Sequence, residues 1–455
     1  MEVRNPKDGS LLGKLEETKA SSLAEMIKAA RKAQLSWRRV GFDKRKEYIE
    51  KFSCALEEES ESLARNQANE TGKPIKQARG EIAATKKRID FFLEKTGSFL
   101  QTEKVYKDDS LTEEISYEPV GLIANISAWN YPYFVGSNVF IPALLTGNGV
   151  LYKPSEWASL VGQDIFNLFQ KVGLPKNLFN LILGDGAIGS RLIEEDIDGV
   201  FFTGSYRTGK KIAEKAAPRM LKIGLELGGK DPAYVTDCAD PQKAAIALAD
   251  GAFYNAGQSC CAVERIYVHE KVYDAFLESF LAEVKGFKMG DPLKEDTYLG
   301  PLTRASSAAF LEAQVADALA KGAQVKAGGQ AAFNGRYFSP TVLVKVNHAM
   351  KVMREESFGP IIGIQKVGDD KEAAGLMADT PYGLTAAVYG KEEKRARDIL
   401  EHLETGSVYF NMCDRISPRL PWSGRRHSGI GSTLGEEGIR AFLKPKAWHL
   451  TPSLH

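Results

Sequence analysis

The chain has 455 residues, of which 43% are hydrophobic and 26% are charged. This composition is typical of a globular protein of about three domains, and it excludes a mostly disordered chain. The 60 basic and 59 acidic side chains leave a formal net charge of +1 at pH 7, which favours neither nucleic acid nor an anionic membrane as a partner. We therefore expect a small-molecule partner.

The cysteines are few and odd in number, and their spacing fits neither a metal site nor a disulfide framework. We therefore expect free thiols in a reducing compartment, a cytoplasmic protein and no bound metal. The first twenty residues mix both charges with glycine and proline, so we expect no secretory signal there. The cysteines are Cys54, Cys238, Cys260, Cys261 and Cys413.

The first hundred residues predict helices. Ser21 or Ser22 can cap the first of them, because a hydroxyl accepts a hydrogen bond from the free N–H groups of a first helical turn. Apolar residues then recur at helical spacing in two stripes. They are Leu23, Met26, Ile27 and Ala30 in the first stripe and Ile49, Phe52, Leu56 and Leu63 in the second.

From Gly121 onward, short aliphatic runs alternate with helical segments or glycine-rich turns. This alternation predicts an α/β fold with parallel sheets covered on both faces. The first set of runs reads LIANI, VLYK, LFNLIL, GVFFTG and LKIGLEL. The second set begins near Ala233 and reads AYV, ERIYVH, TVLVKV, IIGIQKV, TAAVYG and GSVYF, with helical segments at Val272–Glu283 and Phe310–Leu319. Two lobes with a cleft between them are the simplest architecture, and the polar run Thr102–Pro119 predicts an edge hairpin in the first lobe.

The stretch from Val120 to Tyr152 carries no charged residue, which raises the question of a membrane span. Pro132 and Pro142, together with several glycines and asparagines, argue against one continuous apolar helix. We interpret the stretch as a strand, a loop and a helix buried in a core, and we expect no membrane partner.

The strongest chemical signal is the segment FYNAGQSCCA at residues 253–262. A cysteine behind a Gly-Gln turn can project its thiol into a cleft, and Cys260 can act as a nucleophile there if nearby dipoles or cations stabilise its thiolate. Taken alone, however, a Cys-Cys pair is more often buried and structural.

Two upstream segments favour the nucleophile. Glu226 in LELGGK ends a hydrophobic strand beside a Gly-Gly turn, where a carboxylate can reach a cleft and act as a general base. Asn130 in AWNYP follows the strand LIANI, where its amide can donate to a developing oxyanion. The backbone N–H of Cys260 would be the second donor.

In this order and spacing, the three segments resemble those of the aldehyde dehydrogenase superfamily, in its hydrolytic, NAD(P)-dependent form. The resemblance runs nearly end to end, from an NP-DG opening through ETGKP at residues 70–74 to Ser428-Gly429. It implies that Cys260 is the nucleophile, Glu226 the general base and Asn130 the oxyanion donor. The implied reaction is oxidation of an aldehyde to a carboxylic acid through a thiohemiacetal and a thioester on Cys260.

The resemblance also implies a domain division and an assembly. Residues 1–101 and 120–229 are expected to form an NAD(P)-binding domain, and residues 230–428 a catalytic domain, each a three-layer α/β lobe. Residues 102–119 and 429–455 are expected to be oligomerisation elements. A homodimer or homotetramer is the expected assembly.

Three motifs are similar to the cofactor motifs of the family, although each alone is more often an ordinary strand-end turn. The segment KPSE at residues 153–156 resembles the adenosine-ribose site, FTGS at 202–205 the pyrophosphate turn, and EESFGP at 355–360 the nicotinamide side. The implied cofactor residues are Trp129, Lys153, Ser155, Glu156, Gly204, Ser205, Gly209, Leu227, Glu356 and Phe358. A carboxylate at Glu156 can accept a hydrogen bond from a ribose 2′-OH and repels a 2′-phosphate, so we expect NAD, with NADP possible because Lys153 lies nearby.

The stretch Gly184–Gly189 fits the pattern G-x-G-x-x-G of dinucleotide-binding turns. The chain lacks the acidic residue that such a turn requires about twenty positions on. We therefore interpret these glycines as a structural loop.

The substrate is the least determined part. The residues expected to line its tunnel are Tyr131, Phe134, Val135, Tyr254, Ser259, Cys261 and Trp422. We expect an apolar or general aldehyde, and two alternatives stay open. One is an aminoaldehyde or betaine aldehyde held by aromatic rings, which Asn138 weakens because such relatives often carry Trp there. The other is a semialdehyde whose carboxylate meets Arg415 or Arg419.

Two departures from the family pattern stand out: Ala128 where proline is usual, and Trp422-Ser423 where Phe-Gly or Trp-Gly is typical. The second lies at the expected tunnel mouth, so the substrate does not follow from the resemblance. A rival hypothesis of another class is a non-catalytic NAD-binding or structural protein of this fold. The intact set of Cys260, Glu226 and Asn130 argues against it, because a scaffold needs none of them.

Overall fold

Helices and short strands alternate along residues 1–452, the part of the chain that the computed structural model describes. The helices are α1 Leu23–Trp37, α2 Phe42–Glu58, α3 Ser60–Thr71, α4 Ile75–Lys95, α5 Pro132–Leu145, α6 Ser159–Lys171, α7 Gly186–Glu194, α8 Tyr206–Ala216, α9 Pro241–Phe253, α10 Tyr273–Gly286, α11 Ser306–Ala320, α12 Asp370–Ala378, α13 Glu393–Leu400 and α14 Gly435–Arg440. The strands are β1 Glu2–Arg4, β2 Leu11–Lys14, β3 Glu103–Lys107, β4 Thr112–Pro119, β5 Leu122–Ser127, β6 Gly149–Pro154, β7 Phe179–Leu181, β8 Gly199–Thr203, β9 Lys222–Glu226, β10 Asp231–Val235, β11 Val263–His269, β12 Gln324–Ala327, β13 Ala331–Ala332, β14 Tyr337–Phe338, β15 Thr341–Val344, β16 Ile361–Val367, β17 Thr385–Tyr389, β18 Ser407–Phe410, β19 Gly429–Ile430 and β20 Leu443–Leu450.

The uncharged stretch forms β5, α5 and β6, as predicted, with both strands buried along their whole length. Within residues 1–452, no helix is both long enough and apolar enough to cross a membrane.

The first large sheet has the strand order β19-β9-β8-β5-β6-β7, and all its neighbours are parallel except β19. Strand β5 pairs with β6 on one side and with β8 on the other, so the order of strand addition reverses there. Ligands of open parallel sheets bind in the crevice at such a switch point, beyond the carboxyl ends of the strands. Asn130, Ser155 and Ser205 lie in the turns that follow β5, β6 and β8, and Glu226 is the last residue of β9.

The second large sheet has the order β12-β15-β16-β11-β10-β17-β18 and is parallel apart from β12. Cys260 lies just before β11 and Phe358 just before β16, so both belong to the amino edge of this sheet. The chemical residues thus come from the carboxyl edge of one sheet and the amino edge of the other. The prediction of an α/β fold with parallel sheets is confirmed.

A third sheet consists of the antiparallel strands β20-β4-β3, in which the predicted edge hairpin is joined by a strand from the carboxy-terminal region. Residues 429–442 do not belong to it, contrary to the predicted grouping of 429–455. Strand β19 instead pairs with the open edge of β9, and α14 packs against α5. The part of the prediction that concerns residues 453–455 lies outside the described residues, and the domain roles stay predictions.

The first predicted stripe is confirmed on α1, whereas the second is divided between two helices, because α2 ends at Glu58 and Leu63 lies on α3. Leu23 and Ile27 of α1 are buried, as are Ile49 and Phe52 of α2. The side chain of Ser22 precedes α1 but makes no capping hydrogen bond. The hairpin of β1 and β2 was not predicted, because its strands are too short to show an alternating pattern.

Candidate active site

A cavity of about 1390 Å³ lies between the two large sheets. Asn130, Glu226 and Cys260 all line it, although they are far apart in the sequence. Every other residue predicted for the cofactor or the substrate also lines this cavity, with the single exception of Gly209. The motifs found separately in the sequence therefore meet in one place.

The turn before Cys260 is an unusual piece of backbone. Asn255, Ala256 and Gly257 have φ values of +53°, +54° and +68°, in the left-handed region that side chains other than glycine rarely adopt. At Gly257 a Cβ atom would overlap the carbonyl group of Gly359, so glycine is required there for space as well as for conformation. Strained conformations of this kind concentrate at functional sites, where the surrounding structure holds them in place. Here the turn brings Cys260 to the cavity wall.

Asn130 is bonded directly to this turn. Its Nδ2 donates to the carbonyl oxygen of Gln258 at 3.1 Å. The Nδ2 of Asn255 donates to the carbonyl oxygens of Asn130 and Gln258, each at 3.2 Å. Because an amide nitrogen carries two hydrogens, Asn130 keeps one N–H for a ligand in the cavity. The amide is thus held firmly beside the nucleophile turn with a donor to spare.

Glu226 is held by two hydroxyl groups. The Oγ1 of Thr203 donates to its carboxylate at 3.2 Å, and the hydroxyl of Thr433 donates to the other oxygen. Burial raises the pKa of Glu226 above its usual range, although these two hydrogen bonds and the positive charge of Arg88 act in the opposite direction. A carboxylate with a raised pKa is a stronger base than an exposed one, which suits proton transfer near neutral pH.

The adenosine-side motif contributes a buried cation and an exposed carboxylate. Lys153 is buried and its Nζ donates to the carbonyl oxygen of Pro154 at 3.2 Å. The Oγ of Ser155 donates to Oε2 of Glu156 at 3.3 Å. These groups line the cavity and offer both donors and an acceptor to the hydroxyls of a sugar.

The amino-terminal end of helix α8 faces the same cavity. Ser205 is its N-cap residue and accepts a hydrogen bond from the N–H of Thr208 at 3.4 Å. The first N–H groups of a helix have no partners within the helix, so this end favours a phosphate. Gly209 does not line the cavity, contrary to the prediction. A Cβ atom there would overlap the side chain of Leu227, so Gly209 acts by letting α8 pack closely on that residue.

The nicotinamide-side motif is anchored from behind by Glu264, whose carboxylate accepts hydrogen bonds from the backbone N–H groups of Ser357 and Phe358 at 2.8 and 2.9 Å. Lys230 pairs with Glu264 at 2.6 Å. Burial, with a contribution from the charge of Glu264, raises the pKa of Glu356 to about 8. The ring of Phe358 meets that of Trp129 edge-on, with the centroids 5.6 Å apart.

The glycine-rich stretch that we interpreted as a structural loop also reaches the cavity. Asp185 caps α7 by accepting a hydrogen bond from the N–H of Ala187 at 2.8 Å, and Gly186 and Gly189 line the cavity wall. The interpretation was therefore incomplete, because the start of α7 forms part of the same pocket.

These features together fit a dinucleotide. The start of α8 suits phosphate, and the pair of Lys153 and Glu156 suits a ribose. At the other end, the N–H of Gly229 donates to Oε1 of Glu356 at 3.3 Å, and a Cβ atom on Gly228 would overlap that carboxyl group. The cavity thus carries polar groups where the two sugars and the phosphates would lie.

Sequence reasoning missed Arg88, which lines the cavity and is only 4% exposed. Its guanidinium lies 3.6 Å from the ring centroid of Phe134. Burial lowers the pKa of Arg88 to about 10, while the negative charges of Glu81 and Glu226 act to raise it. The run Lys86-Lys87-Arg88 is typical of an exposed helix face and therefore carried no signal of this burial.

Asp414 was missed as well. Its Oδ1 accepts hydrogen bonds from the Sγ of Cys261 at 2.9 Å and from the Oγ of Ser259 at 3.4 Å. Burial raises the pKa of Asp414 to about 7. Of the two arginines considered for a carboxylate substrate, Arg415 lines the cavity and Arg419 does not.

Comparison with known proteins gives one consistent picture. A family model described as "Aldehyde dehydrogenase family" matches residues 1–448. The chain is 34% identical to the non-phosphorylating aspartate-semialdehyde dehydrogenase of Halomonas elongata, over 98% of this chain and 92% of that protein. It is also 34% identical to the succinate semialdehyde dehydrogenase [NAD(P)+] of Escherichia coli, over 96% and 95% of the two chains. A crystal structure of betaine aldehyde dehydrogenase from Staphylococcus aureus in complex with NAD+ superposes with a TM-score of 0.96, at 31% identity, over 100% of this chain and 95% of that one.

Proposed function

The chain belongs to the aldehyde dehydrogenase family, whose members are oxidoreductases, and on this premise we propose that it oxidises an aldehyde to the carboxylic acid with NAD as hydride acceptor. The observation that carries the proposal is the meeting of Cys260, Glu226 and Asn130 at one cavity. A chain kept only as a scaffold or as an NAD-binding protein has no use for this set.

In the first step, the thiolate of Cys260 attacks the aldehyde carbon. A carbon–sulfur bond forms, and the carbonyl electron pair moves onto the oxygen. The free N–H of Asn130 and the backbone N–H of Cys260 donate to that oxyanion, which lowers the barrier because both donors are fixed before the charge develops. The hydrogen bond from Asn130 to Gln258 supports this role, because it fixes the amide relative to the nucleophile.

When bound, the nicotinamide supplies the acceptor for the hydride that leaves the substrate carbon, so that a thioester remains on Cys260. Glu226 then takes a proton from a water molecule, and the resulting hydroxide attacks the thioester carbon. The carbon–sulfur bond breaks, the carboxylic acid leaves and the thiolate of Cys260 is restored. The raised pKa of Glu226 supports its role as the base.

The pH dependence of turnover follows from Glu226. Only its carboxylate form accepts a proton, so kcat is expected to fall as the pH drops through the raised pKa of this group. A Thr433→Val substitution removes one hydrogen bond to that carboxylate. The pKa of Glu226 should then rise further, and the acid side of the kcat profile should move to higher pH.

The matched control is Thr96→Val, because Thr96 is also buried and its hydroxyl has no hydrogen-bond partner among the described residues. Its kcat profile should coincide with that of the unmodified protein. An acid limb that stays in place in Thr433→Val, measured with saturating substrate across the pH range, would remove Glu226 from the step that limits turnover.

The preference for NAD rests on Glu156, whose carboxylate suits a ribose 2′-OH and repels a 2′-phosphate. Lys153 lies beside it but already donates to a backbone carbonyl, so it is less available to a 2′-phosphate. NADP is the second choice, since the E. coli relative is described with both cofactors.

We further propose a cytoplasmic location and a homodimer or homotetramer. Strand β3 is exposed along its whole length and leaves the edge of the third sheet open for another copy of the chain. In this scheme residues 102–119 and the carboxy-terminal strand serve assembly, residues 1–101 and 120–229 bind the cofactor, and residues 230–428 carry the nucleophile.

The test is incubation of the purified protein with a panel of aldehydes and either NAD or NADP, with reduced cofactor measured by absorbance. An increase in the absorbance of reduced cofactor with at least one aldehyde supports the proposal. No increase with any of the aldehydes favours the scaffold hypothesis. Addition of coenzyme A distinguishes a second class of product. Acyl-CoA formation in place of the free acid would contradict the role of Glu226 in hydrolysis.

A further inference from the structure

We propose that Arg88 binds a carboxylate on the substrate, so that the preferred substrates are aldehydes that also carry a carboxylate group. This inference rests on the proposed function and names the substrate class for the same cavity. It replaces the apolar or general aldehyde expected from the sequence, and it assigns the anion to Arg88 rather than to Arg415 or Arg419.

The first support is that Arg88 is buried without a partner. It is 4% exposed, and within residues 1–452 no carboxylate oxygen lies within 4.0 Å of its guanidinium and no group accepts a hydrogen bond from it. Its guanidinium lies over the face of Phe134, at 3.6 Å from the ring centroid. Burying a charged group is costly unless it is paired and hydrogen-bonded. The unpaired guanidinium of Arg88 therefore indicates a binding site for an anionic group of a ligand.

The other buried cations of the described chain show that this state is exceptional. Each of them donates to a carbonyl oxygen or to a carboxylate. They are Arg45 with Leu145, Lys73 with Glu81, Lys153 with Pro154, Lys230 with Glu264, and Arg265 with Lys230, Leu376 and Met377. Arg88 is the member of the set that lacks such a bond, and it faces the cavity.

The second support is the position of Arg88 relative to the reacting atoms. Phe134, on which the guanidinium rests, stacks on Tyr131, with ring centroids 5.8 Å apart. Tyr131 directly follows the oxyanion donor Asn130. The charges of Glu226 and Cys260 also act on Arg88. The guanidinium therefore lies on the substrate side of the cavity, close enough to serve a short substrate whose aldehyde carbon is at Cys260.

The third support comes from the neighbouring polar groups. Glu81, whose charge acts on Arg88, is already bonded to Lys73, and Asp414 already accepts hydrogen bonds from Cys261. Neither Glu81 nor Asp414 is therefore free to pair with Arg88 in place of a substrate carboxylate.

An unpaired guanidinium also disfavours the aminoaldehyde alternative. A cationic substrate would bring a second positive charge beside Arg88 in a poorly hydrated site, where like charges repel strongly. The aromatic rings of Tyr131 and Phe134 already carry cations of the protein, since Lys73 lies 3.6 Å from the centroid of the first and Arg88 the same distance from the second.

The test compares three four-carbon aldehydes that differ in charge: 4-oxobutanoate, its neutral methyl ester, and 4-(trimethylammonio)butanal. For the unmodified protein with NAD, kcat/KM is expected to be about 10- to 100-fold higher for 4-oxobutanoate than for the ester, the usual worth of a charge-assisted hydrogen bond. In Arg88→Met the ratio of kcat/KM for 4-oxobutanoate to kcat/KM for the ester should fall to about one, whatever change both values share through the effect of the Arg88 charge on Glu226. Arg88→Lys should keep part of the advantage of 4-oxobutanoate. The control Lys76→Met, which removes an exposed cation from the same helix, should leave all three values unchanged.

A higher kcat/KM for the ester or for the trimethylammonio aldehyde overturns the substrate class, and an equal loss for all three aldehydes in Arg88→Met overturns the role of Arg88. In both cases the protein still oxidises aldehydes, so the proposed function is retained. If NAD is reduced with none of the aldehydes, the proposed function is wrong, and the substrate proposal that rests on it is wrong as well. If Arg88→Met fails to fold, the test uses the unmodified protein and compares how strongly succinate and succinamide inhibit oxidation of the ester. Inhibition of ester oxidation by succinate alone supports the site, and equal or absent inhibition refutes it.

Discussion

A Cys260→Ser variant is expected to lose at least about a thousandfold in the rate of aldehyde oxidation, as enzymes do when their nucleophile is removed. A serine hydroxyl stays protonated near neutral pH, and within residues 1–452 no base is hydrogen-bonded to this position to activate it. The hydroxyl therefore attacks an aldehyde far more slowly than a thiolate. The fold should be retained because Cys260 is only partly buried and the change removes little volume. Steady-state formation of NADH over a range of aldehyde concentrations gives the rate.

The matched control is Cys238→Ser, since Cys238 lies outside the cavity and is likewise partly exposed. It should oxidise aldehydes at the normal rate. Calorimetric titration with NAD separates chemistry from binding, and Cys260→Ser should bind the cofactor as tightly as the unmodified protein. Retention of most of the activity by Cys260→Ser would contradict the assignment of the nucleophile.

Asn130→Ala is expected to lower kcat by about 100- to 1000-fold, or about 3–4 kcal/mol, the typical effect of losing one oxyanion donor. The amide of Asn130 has one N–H on the carbonyl of Gln258 and the other free, so the substitution removes the free donor from the developing charge. The effect should fall on kcat more than on KM, because the oxyanion exists in the transition state and not in the bound aldehyde.

The same substitution also breaks a bond that holds the nucleophile turn, and Asn255→Ala controls for this. Asn255 donates to the same carbonyl of Gln258 but has no N–H directed at the oxyanion in the proposed mechanism. We expect a clearly smaller loss of kcat in Asn255→Ala. Equal losses in the two variants would mean that Asn130 acts by holding the turn and not by stabilising charge.

The meeting of Cys260, Glu226 and Asn130 at one cavity could be predicted because the local signals of these residues are strong. Glu226 and Asn130 each follow a continuous apolar run, and residues at the carboxyl ends of parallel strands converge on one edge of a sheet. In the sequence, Gly257 indicated a tight turn before Cys260. The structure adds the reason, since a Cβ atom at this position would overlap Gly359.

Residues whose role depends on packing between distant elements could not be predicted in the same way. Arg88 lies in a run of three basic residues on α4, which normally indicates an exposed face, and only the packing of α4 against α5 buries it over Phe134. Gly209 was expected to contact the cofactor, whereas its effect is on the contact of α8 with Leu227. The pairing of Gly429–Ile430 with β9 likewise joins segments about two hundred positions apart, for which two residues of extended chain give no local signal.

The most direct measurement of the central claim is intact-protein mass spectrometry of a Glu226→Gln variant mixed with NAD and an aldehyde that the unmodified protein oxidises. An amide cannot take the proton from water, so the thioester should persist, and the protein should gain the mass of one acyl group. Peptide mapping should locate this group on Cys260. An unmodified mass while NADH is formed, or an acyl group on any other residue, would contradict the account.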